Sequence, residues 1–419
     1  MRTTSAVPNS DAVCRSSVRP SDGVGSGDSA ARSAYGASIS GGNRWRTTGS
    51  TWLMLMIGFG VPRPQSVAQE HRSFAADSTC RCHLVLRRVV QVGRTDDTTA
   101  FLGATAVARD SRGRYFAAPI LPHGAVAVFA PDGRFLMTMG RAGAGPGELG
   151  RVHHIRTTAG DSVLAYDQER LTLFDPNGTY VRAASPPPGA RGFRFSLIDD
   201  RFVLINNYFP THPSFILVDP ARATAREFGR SIAGARFPDS DSLQFRIVDL
   251  GSGRFAAVQQ NYSYQVEIWD TSGVMLRALS RDPEWFPRWS RQERLTRDPS
   301  TSQFAMVMDA YAERGGKRLW IAVRVPDKTW RPAPISMPAG QRGRAIRGPA
   351  PVPLASLSRA FDTVIEVLDV ETGRVVMSHR FDPLLSGFME GGLLYNRRED
   401  PSGISVIDVW RPEVQTERR

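Results

Sequence analysis

Apolar residues along this chain fall into short runs separated by turn-forming residues, and six of those runs close on the same phrase. An apolar strand reaches an aspartate, a tight turn follows, and a second strand leads toward an arginine or a loop. The clearest copies are 125–141 (AVAVFAPDGRFLMTMGR), 171–184 (LTLFDPNGTYVRAA), 215–230 (FILVDPARATAREFGR), 266–281 (VEIWDTSGVMLRALSR) and 365–380 (IEVLDVETGRVVMSHR), with a partial sixth at 404–410 (ISVIDVW). The strand ends Phe129, Phe174, Val218, Trp269, Leu368 and Ile407 are spaced by 45, 44, 51, 99 and 39 residues. The step of 99 holds one unit with a long insertion, because a further strand pair (303–309 and 318–325) precedes the copy at Ile365. Repetition at roughly 40 to 50 residues, with several short strands per unit, is the signature of a β-propeller. The expected fold is therefore all-β, a six-bladed β-propeller of four-stranded blades.

The fourth unit resolves into an inner strand 245–250, a second 254–259, a third 266–270 and an outer 274–280, with glycine-containing turns between. Third strands such as LTLF, VEIW, IEVL and ISVI are apolar on both faces, so each needs cover on both sides, which neighbouring blades supply. The last unit, 386–410, has three strands and lacks its outer one, while a spare strand, 83–92 (HLVLRRVVQV), stands alone at the start of the domain. Pairing the two closes the ring and removes an exposed edge.

Upstream the composition changes. Residues 1–43 are rich in Ser, Gly, Ala and Arg and carry almost no large apolar side chains, which predicts disorder or a start codon assigned too far upstream. Arg44 and Arg46, an apolar run at 52–61 (WLMLMIGFGV) and Ser66-Val67-Ala68 then form a secretory signal pattern over 44–68, with cleavage expected after Ala68. The apolar run is about half of the roughly 20 residues a membrane-spanning helix needs, so a tether through 52–61 is the weaker reading. An extracytoplasmic location, periplasmic or secreted, follows for the propeller, 69–419.

The formal charge of +12 falls to +8 once residues 1–68, with seven Arg and three Asp, are set aside. Lys317 and Lys328 are the only lysines, and the arginines are spread over all blades. Nucleic-acid binding needs a clustered basic face, so it is not expected. Of the three cysteines, Cys14 lies in the segment expected to be lost. Cys80 and Cys82 sit too close for an unstrained disulfide and read as small side chains or free thiols at the start of a strand.

Between the first and second units the run from Gly140 to Leu149 (GRAGAGPGEL) resembles the Gly-x-x-Gly-x-Gly-Pro-Gly-Glu-Phe junction of NHL-type repeats and of the bacterial exported six-bladed β-propeller proteins related to them. The segments 110–115 (DSRGRY), 160–167 (GDSVLAYD) and Phe174-Asp175-Pro176-Asn177-Gly178 extend the likeness over two blades; blades three to six keep only the strand spacing. The resemblance implies the fold and an extracytoplasmic location. It leaves activity open, since many such propellers are binding platforms and a minority are lyases or metal-dependent hydrolases. The chain must cross here from rim to channel, and Gly143, Gly145 and Gly147 are expected to supply positive φ angles and close backbone approach. Glu148 is placed to accept hydrogen bonds from the loop amides. A phosphate cradle is disfavoured, because no Gly-Lys-Ser/Thr and no helix pattern follow.

Loops that join strand four to the next strand one, and strand two to strand three, emerge on one propeller face. They carry Pro122-His123, Arg141 with Glu148, His153 and His154, Asn206 to Phe209 with Asn207 and Tyr208, His212, Asn261 to Tyr264 with Tyr262 and Tyr264, and Trp285, Arg288 and Trp289 in a stretch with helical spacing. The Pro/Arg-rich insertion 326–358, between strands two and three of blade five, falls on the same face. Aromatic, imidazole and guanidinium groups stack on sugars, clamp carboxylates and grip peptides. The alternative for Trp285 and Trp289 is that they pack beneath the loops. Adjacent His153 and His154 on an extended segment point to opposite sides, so they cannot both bind one ion easily. No Gly-x-Ser-x-Gly is present, which excludes a fused serine hydrolase of that type. The expected function is a binding or interaction module for a protein, peptide or glycan, without a catalytic motif, a cofactor or a metal site. The alternative is a hydrolase or lyase on the same face, with a divalent metal such as calcium.

Overall fold

A computed structural model describes residues 71–73, 82–93, 102–121, 123–167, 169–187, 194–207, 212–222, 224–231, 244–289, 304–329, 358–399 and 405–416. Expectations on 1–70, including the signal pattern, and on Cys80, Tyr208 and most of the 326–358 insertion lie outside these residues.

Strands β1 (His71–Ser73) and β2 (Cys82–Val92) come first in the chain. Blade one is β3 (Leu102–Arg109), β4 (Tyr115–Leu121), β5 (Val126–Phe129) and β6 (Phe135–Met139). Two short strands, β7 (Arg141–Ala142) and β8 (Glu148–Leu149), pair in parallel across the glycine-rich junction. Blade two is β9 (His154–Thr157), β10 (Val163–Tyr166), β11 (Leu171–Phe174) and β12 (Tyr180–Ala184). Blade three is β13 (Phe195–Ile198), β14 (Phe202–Asn206), β15 (Phe215–Asp219) and β16 (Thr224–Phe228). Blade four is β17 (Phe245–Gly251), β18 (Arg254–Gln259), β19 (Tyr264–Asp270) and β20 (Met275–Arg281). Blade five is β21 (Met306–Ala312), β22 (Arg318–Pro326), β23 (Phe361–Asp369) and β24 (Val375–Phe381), with the insertion between its second and third strands. Blade six is β25 (Gly387–Met389), β26 (Leu393–Glu399) and β27 (Ser405–Thr416), completed by β2 as its outer strand. The ring is thus a six-bladed β-propeller closed by its N-terminal strand. One pairing has no counterpart in the repeat: β1 lies parallel to β20 and adds a fifth strand to blade four.

The aspartate of the repeat is a turn device. Asp270 Oδ1 accepts the amides of Ser272 (2.9 Å) and Val274 (3.0 Å), and Asp175 Oδ1 accepts those of Asn177 (2.9 Å) and Thr179 (2.8 Å). Side-chain acceptance of this kind fixes the tight turn between strands three and four. Blades one, two, four and five each carry a register shift at the same place, Val128/Phe129, Leu173/Phe174, Ile268/Trp269 and Val367/Leu368. Such a bulge increases the local twist that the blade needs.

The arginine that ends the phrase finds an acid. Arg141 Nη2 meets Glu148 at 2.8 Å, Arg230 Nη2 meets Glu267 at 2.5 Å and Arg380 Nε meets Asp362 at 2.7 Å; Arg281 pairs with Glu366. Glu267 and Glu366 occupy the same place on their third strands, three residues before the turn aspartate, and each is clamped by the preceding blade's arginine. Buried carboxylates at these positions are tolerated because they are paired.

Six apolar clusters form the core among the described residues, one at each blade interface. The largest joins blades four and five through Val258, Val266, Ile268, Val307, Ile321 and Val364. This is why the third strands are apolar on both faces: all four residues of β5 are buried.

Candidate functional site

Inner strands of blades two to five meet at a small, partly open cavity in the central channel. His154 and Arg156 come from β9, Phe195 and Ser196 from β13 with Arg194 just before it, Arg246 from β17, Asp309 from β21, and Asn206 from the end of β14.

Most of the polar side chains here hold neighbouring blades together. His154 Nδ1 accepts the amide of Phe195 at 3.1 Å, and the two rings meet edge to face at 5.1 Å. Asn206 Oδ1 accepts the amide of Phe245 at 2.9 Å, while its Nδ2 donates to the Ser214 carbonyl at 3.0 Å. Asp309 Oδ2 accepts the amide of Phe388 at 2.9 Å, and Ser405 Oγ accepts that of Gly103 at 2.5 Å. In each case a side chain of one blade caps an amide at or near the start of the next blade's inner strand. Ser196 Oγ adds a link from blade three to the Ile247 carbonyl of blade four at 2.7 Å. These groups are buried and satisfied, as polar groups in a core must be. Because His154 Nδ1 is an acceptor, the ring proton of the neutral imidazole sits on Nε2. Burial holds His154 well below the ordinary histidine value, and the charges of Arg156, Arg194 and Arg246 push it further down.

The arginines differ. Arg246 Nε donates to the Met308 carbonyl at 2.7 Å. Among the described residues no hydrogen bond and no ion pair holds the guanidinium of Arg156 or of Arg194. Burial lowers Arg156 from its ordinary value, with Asp309 pulling the other way and Arg194 adding repulsion. Burial lowers Arg246 still more, and Arg194 reinforces the effect.

The residues singled out on the loop-rich face are spread over several blades, and of those described only His154 and Asn206 line the cavity. Arg141 and Glu148 serve the junction: Glu148 Oε2 accepts the amide of Gly145 at 2.7 Å, and Arg170 donates to the carbonyls of Gly143 (2.8 Å), Ala144 (2.6 Å) and Glu148 (3.1 Å). The Gly145 amide and then Arg141 hold Glu148 below the usual carboxylate range. A phosphate cradle needs that amide free, and it is not. Gly143 (φ +149°) and Gly147 (φ +74°) take the positive angles expected of them, and a Cβ on Gly143 would lie 2.1 Å from Glu148 Oε2. Gly145 departs from expectation: its φ is not positive, and its role is the amide it gives to Glu148.

His153 is half-buried outside the cavity, and its backbone amide donates to Tyr166 at 2.7 Å. Burial, then the charge of Arg151, lowers its pKa. Asn207 is fully buried, and its amide donates to the Ser214 carbonyl at 2.8 Å; His212 and His123 are exposed. Tyr262 packs at 4.4 Å on Trp289, which stacks at 4.4 Å on Phe304. Tyr264 is buried against Trp285 and Phe286, and Arg288 pairs with Asp282 at the exposed rim. Trp285 lies within a turn closed by the Phe286 amide on the Pro283 carbonyl and Trp289 lies beyond it, with no helix between them, so the helical spacing misleads and packing beneath the loops accounts for both. Arg156, Arg194, Arg246 and Asp309 escaped the sequence reading. Their signal is a charged residue at or beside an otherwise apolar inner strand, as in FRIVDLG and MVMDAYA, visible once the inner strands are aligned.

Among the described residues no three His, Cys, Asp or Glu side chains converge as metal ligands would. Among those residues, too, no helix is long and apolar enough to cross a membrane. No protein-family model matches the chain, and no curated protein matches it in sequence. Among solved structures it is similar to a Bacteroides fragilis protein described as exported (11% identity, 83% of this chain and 99% of that one, TM-score 0.49). It is also similar to virginiamycin B lyase from Staphylococcus aureus (9%, 78% and 99%, 0.42) and to the Neurospora crassa Pan2 WD40 domain (9%, 81% and 97%, 0.42). At such identities each is a likeness of fold and says nothing of activity.

Proposed function

We propose that this chain is an exported propeller of the NHL-type group that binds a protein, peptide or glycan at the channel mouth of its loop-rich face. One observation carries the reading: the cavity's acid and base candidates are engaged in holding blades together, while Arg156 and Arg194 are held by no hydrogen bond or ion pair among the described residues. His154 Nδ1 accepts the Phe195 amide and Asp309 Oδ2 the Phe388 amide, so neither of these two atoms is free to take a proton from a substrate. Guanidinium groups bind and orient; they do not exchange protons near neutral pH. The rival reading, a lyase or hydrolase on this face, requires an acid or base that can leave its structural partner.

Export rests on the charged, apolar and small-residue pattern of 44–68, and secreted protein is expected to begin at Gln69 when its N terminus is sequenced. The binding reading is tested by presenting the secreted protein to glycan and peptide arrays and measuring hits by calorimetry. Saturable binding without turnover of the hit supports it; consumption of the bound compound, abolished by His154→Gln, overturns it in favour of the lyase or hydrolase.

A further inference from the structure

Three guanidinium groups share the channel cavity with a single carboxylate. Arg156, Arg194 and Arg246 come from blades two, three and four, and Asp309 from blade five. At the blade rims this protein gives its arginines acids, as in Arg230 with Glu267 and Arg380 with Asp362. Arg156 and Arg194 break that habit, since no ion pair or hydrogen bond holds either among the described residues. Burial already lowers the pKa of Arg156 and Arg246. An arginine does not lose its proton near neutral pH, and three guanidinium groups against one lining carboxylate leave the cavity with a positive excess.

The rest of the lining does not suit a cation. His154 Nδ1, Asn206 Oδ1 and one oxygen of Asp309 already accept backbone amides. What the cavity offers is donors in fork geometry, the arrangement that grips carboxylates and phosphates.

We propose that this cavity is an oxyanion subsite: Arg156, Arg194 and Arg246 grip one carboxylate, sulfate or phosphate group of the ligand. The proposal rests on the reading of the loop-rich face as a binding face and names the chemistry that face selects. Sugar acids, sulfated or phosphorylated glycans and the carboxylate of a peptide end all carry such a group.

The test uses the secreted protein, with inorganic phosphate, sulfate and acetate as probes and ionic strength held constant with sodium chloride. Calorimetry and thermal unfolding are expected to show saturable binding of at least one probe, with phosphate or sulfate ahead of acetate for a tetrahedral group and the reverse for a carboxylate. Arg156→Gln and Arg194→Gln are each expected to weaken it tenfold or more. The ligand-free variants are expected to melt no lower than wild type, because a repelling charge has gone. Arg222→Gln, at an exposed hairpin where Arg222 pairs with Asp219, is expected to leave the titration unchanged. An anion response equal in wild type and in the double variant Arg156→Gln/Arg194→Gln overturns the subsite, as does the absence of saturable binding. A glycan or peptide that binds that double variant as tightly as wild type sinks the subsite and leaves the binding face standing. Saturable anion binding with no larger ligand found sinks the binding-face reading alone.

Discussion

Arg281 and Glu366 show how single residues tie this ring together. Arg281 ends the outer strand of blade four, and Glu366, fully buried on the third strand of blade five, receives it. Burial raises the Glu366 pKa and Arg281 opposes the rise. Removing only the cation strands a buried carboxylate, so Arg281→Met is expected to cost about 3–5 kcal/mol in urea unfolding. Adding Glu366→Leu is expected to recover most of that loss; equal costs for the single and double variants would mean the pair does not hold the blades. His154 carries a second prediction, in pH. Its folded pKa is depressed, so as pH falls below about 6.5 the unfolded chain takes up a proton that the folded ring refuses. Stability is therefore expected to fall from pH 7.5 to 5.5 by up to about 1.4 kcal/mol per pH unit from this residue. His154→Gln keeps an acceptor for the Phe195 amide and should remove that share of the slope; an unchanged slope would contradict it. The sequence displayed both the turn aspartates and the trailing arginines, because they recur at fixed places in each phrase. It could not display their partners, since Glu366 lies 85 positions beyond Arg281 and the contact exists only once blades stack.

The element that matters most to closure is β2. It pairs with β27 from Cys82↔Thr416 to Val92↔Ile407, so the two ends of the propeller are joined by backbone hydrogen bonds. Leu84 is 1% exposed and packs with Ile365, Leu385 and Leu394, whereas Val89 on the same strand is 42% exposed. Leu84→Ala is expected to destabilise the whole domain by about 2–5 kcal/mol, and Val89→Ala by no more than about 0.5 kcal/mol. A loss confined to local fraying at β2, seen by hydrogen exchange while the urea midpoint holds, would show that closure is not cooperative. This strand was legible in advance because blade six visibly lacked an outer strand and 83–92 was apolar without a neighbour. The parallel addition of β1 to β20 was not legible, since a three-residue strand leaves no periodic trace.

At the scale of the molecule, the repeated features and the proposed oxyanion site occupy different parts of the ring. The features that recur, bulged hairpins, interface clusters and arginine–acid clamps, lie out along the blades, and the sequence displayed the hairpin turns, the doubly apolar third strands and the trailing arginines that build them. Those that do not recur, Arg156, Arg194, Arg246 and Asp309, face the channel, where each blade contributes something different to one shared space. No single phrase announces such a site, because it assembles from residues more than 150 positions apart. Of the aromatic and histidine residues of the loops, Tyr264 and Trp289 are core and His154 caps the next blade's inner strand. If the channel is a donor-lined site for an oxyanion, diffraction from crystals of the secreted protein soaked in selenate is expected to show an ordered selenate within hydrogen-bond distance of Arg156, Arg194 and Arg246; a channel holding only water at saturating selenate would mean that the three arginines form no such site.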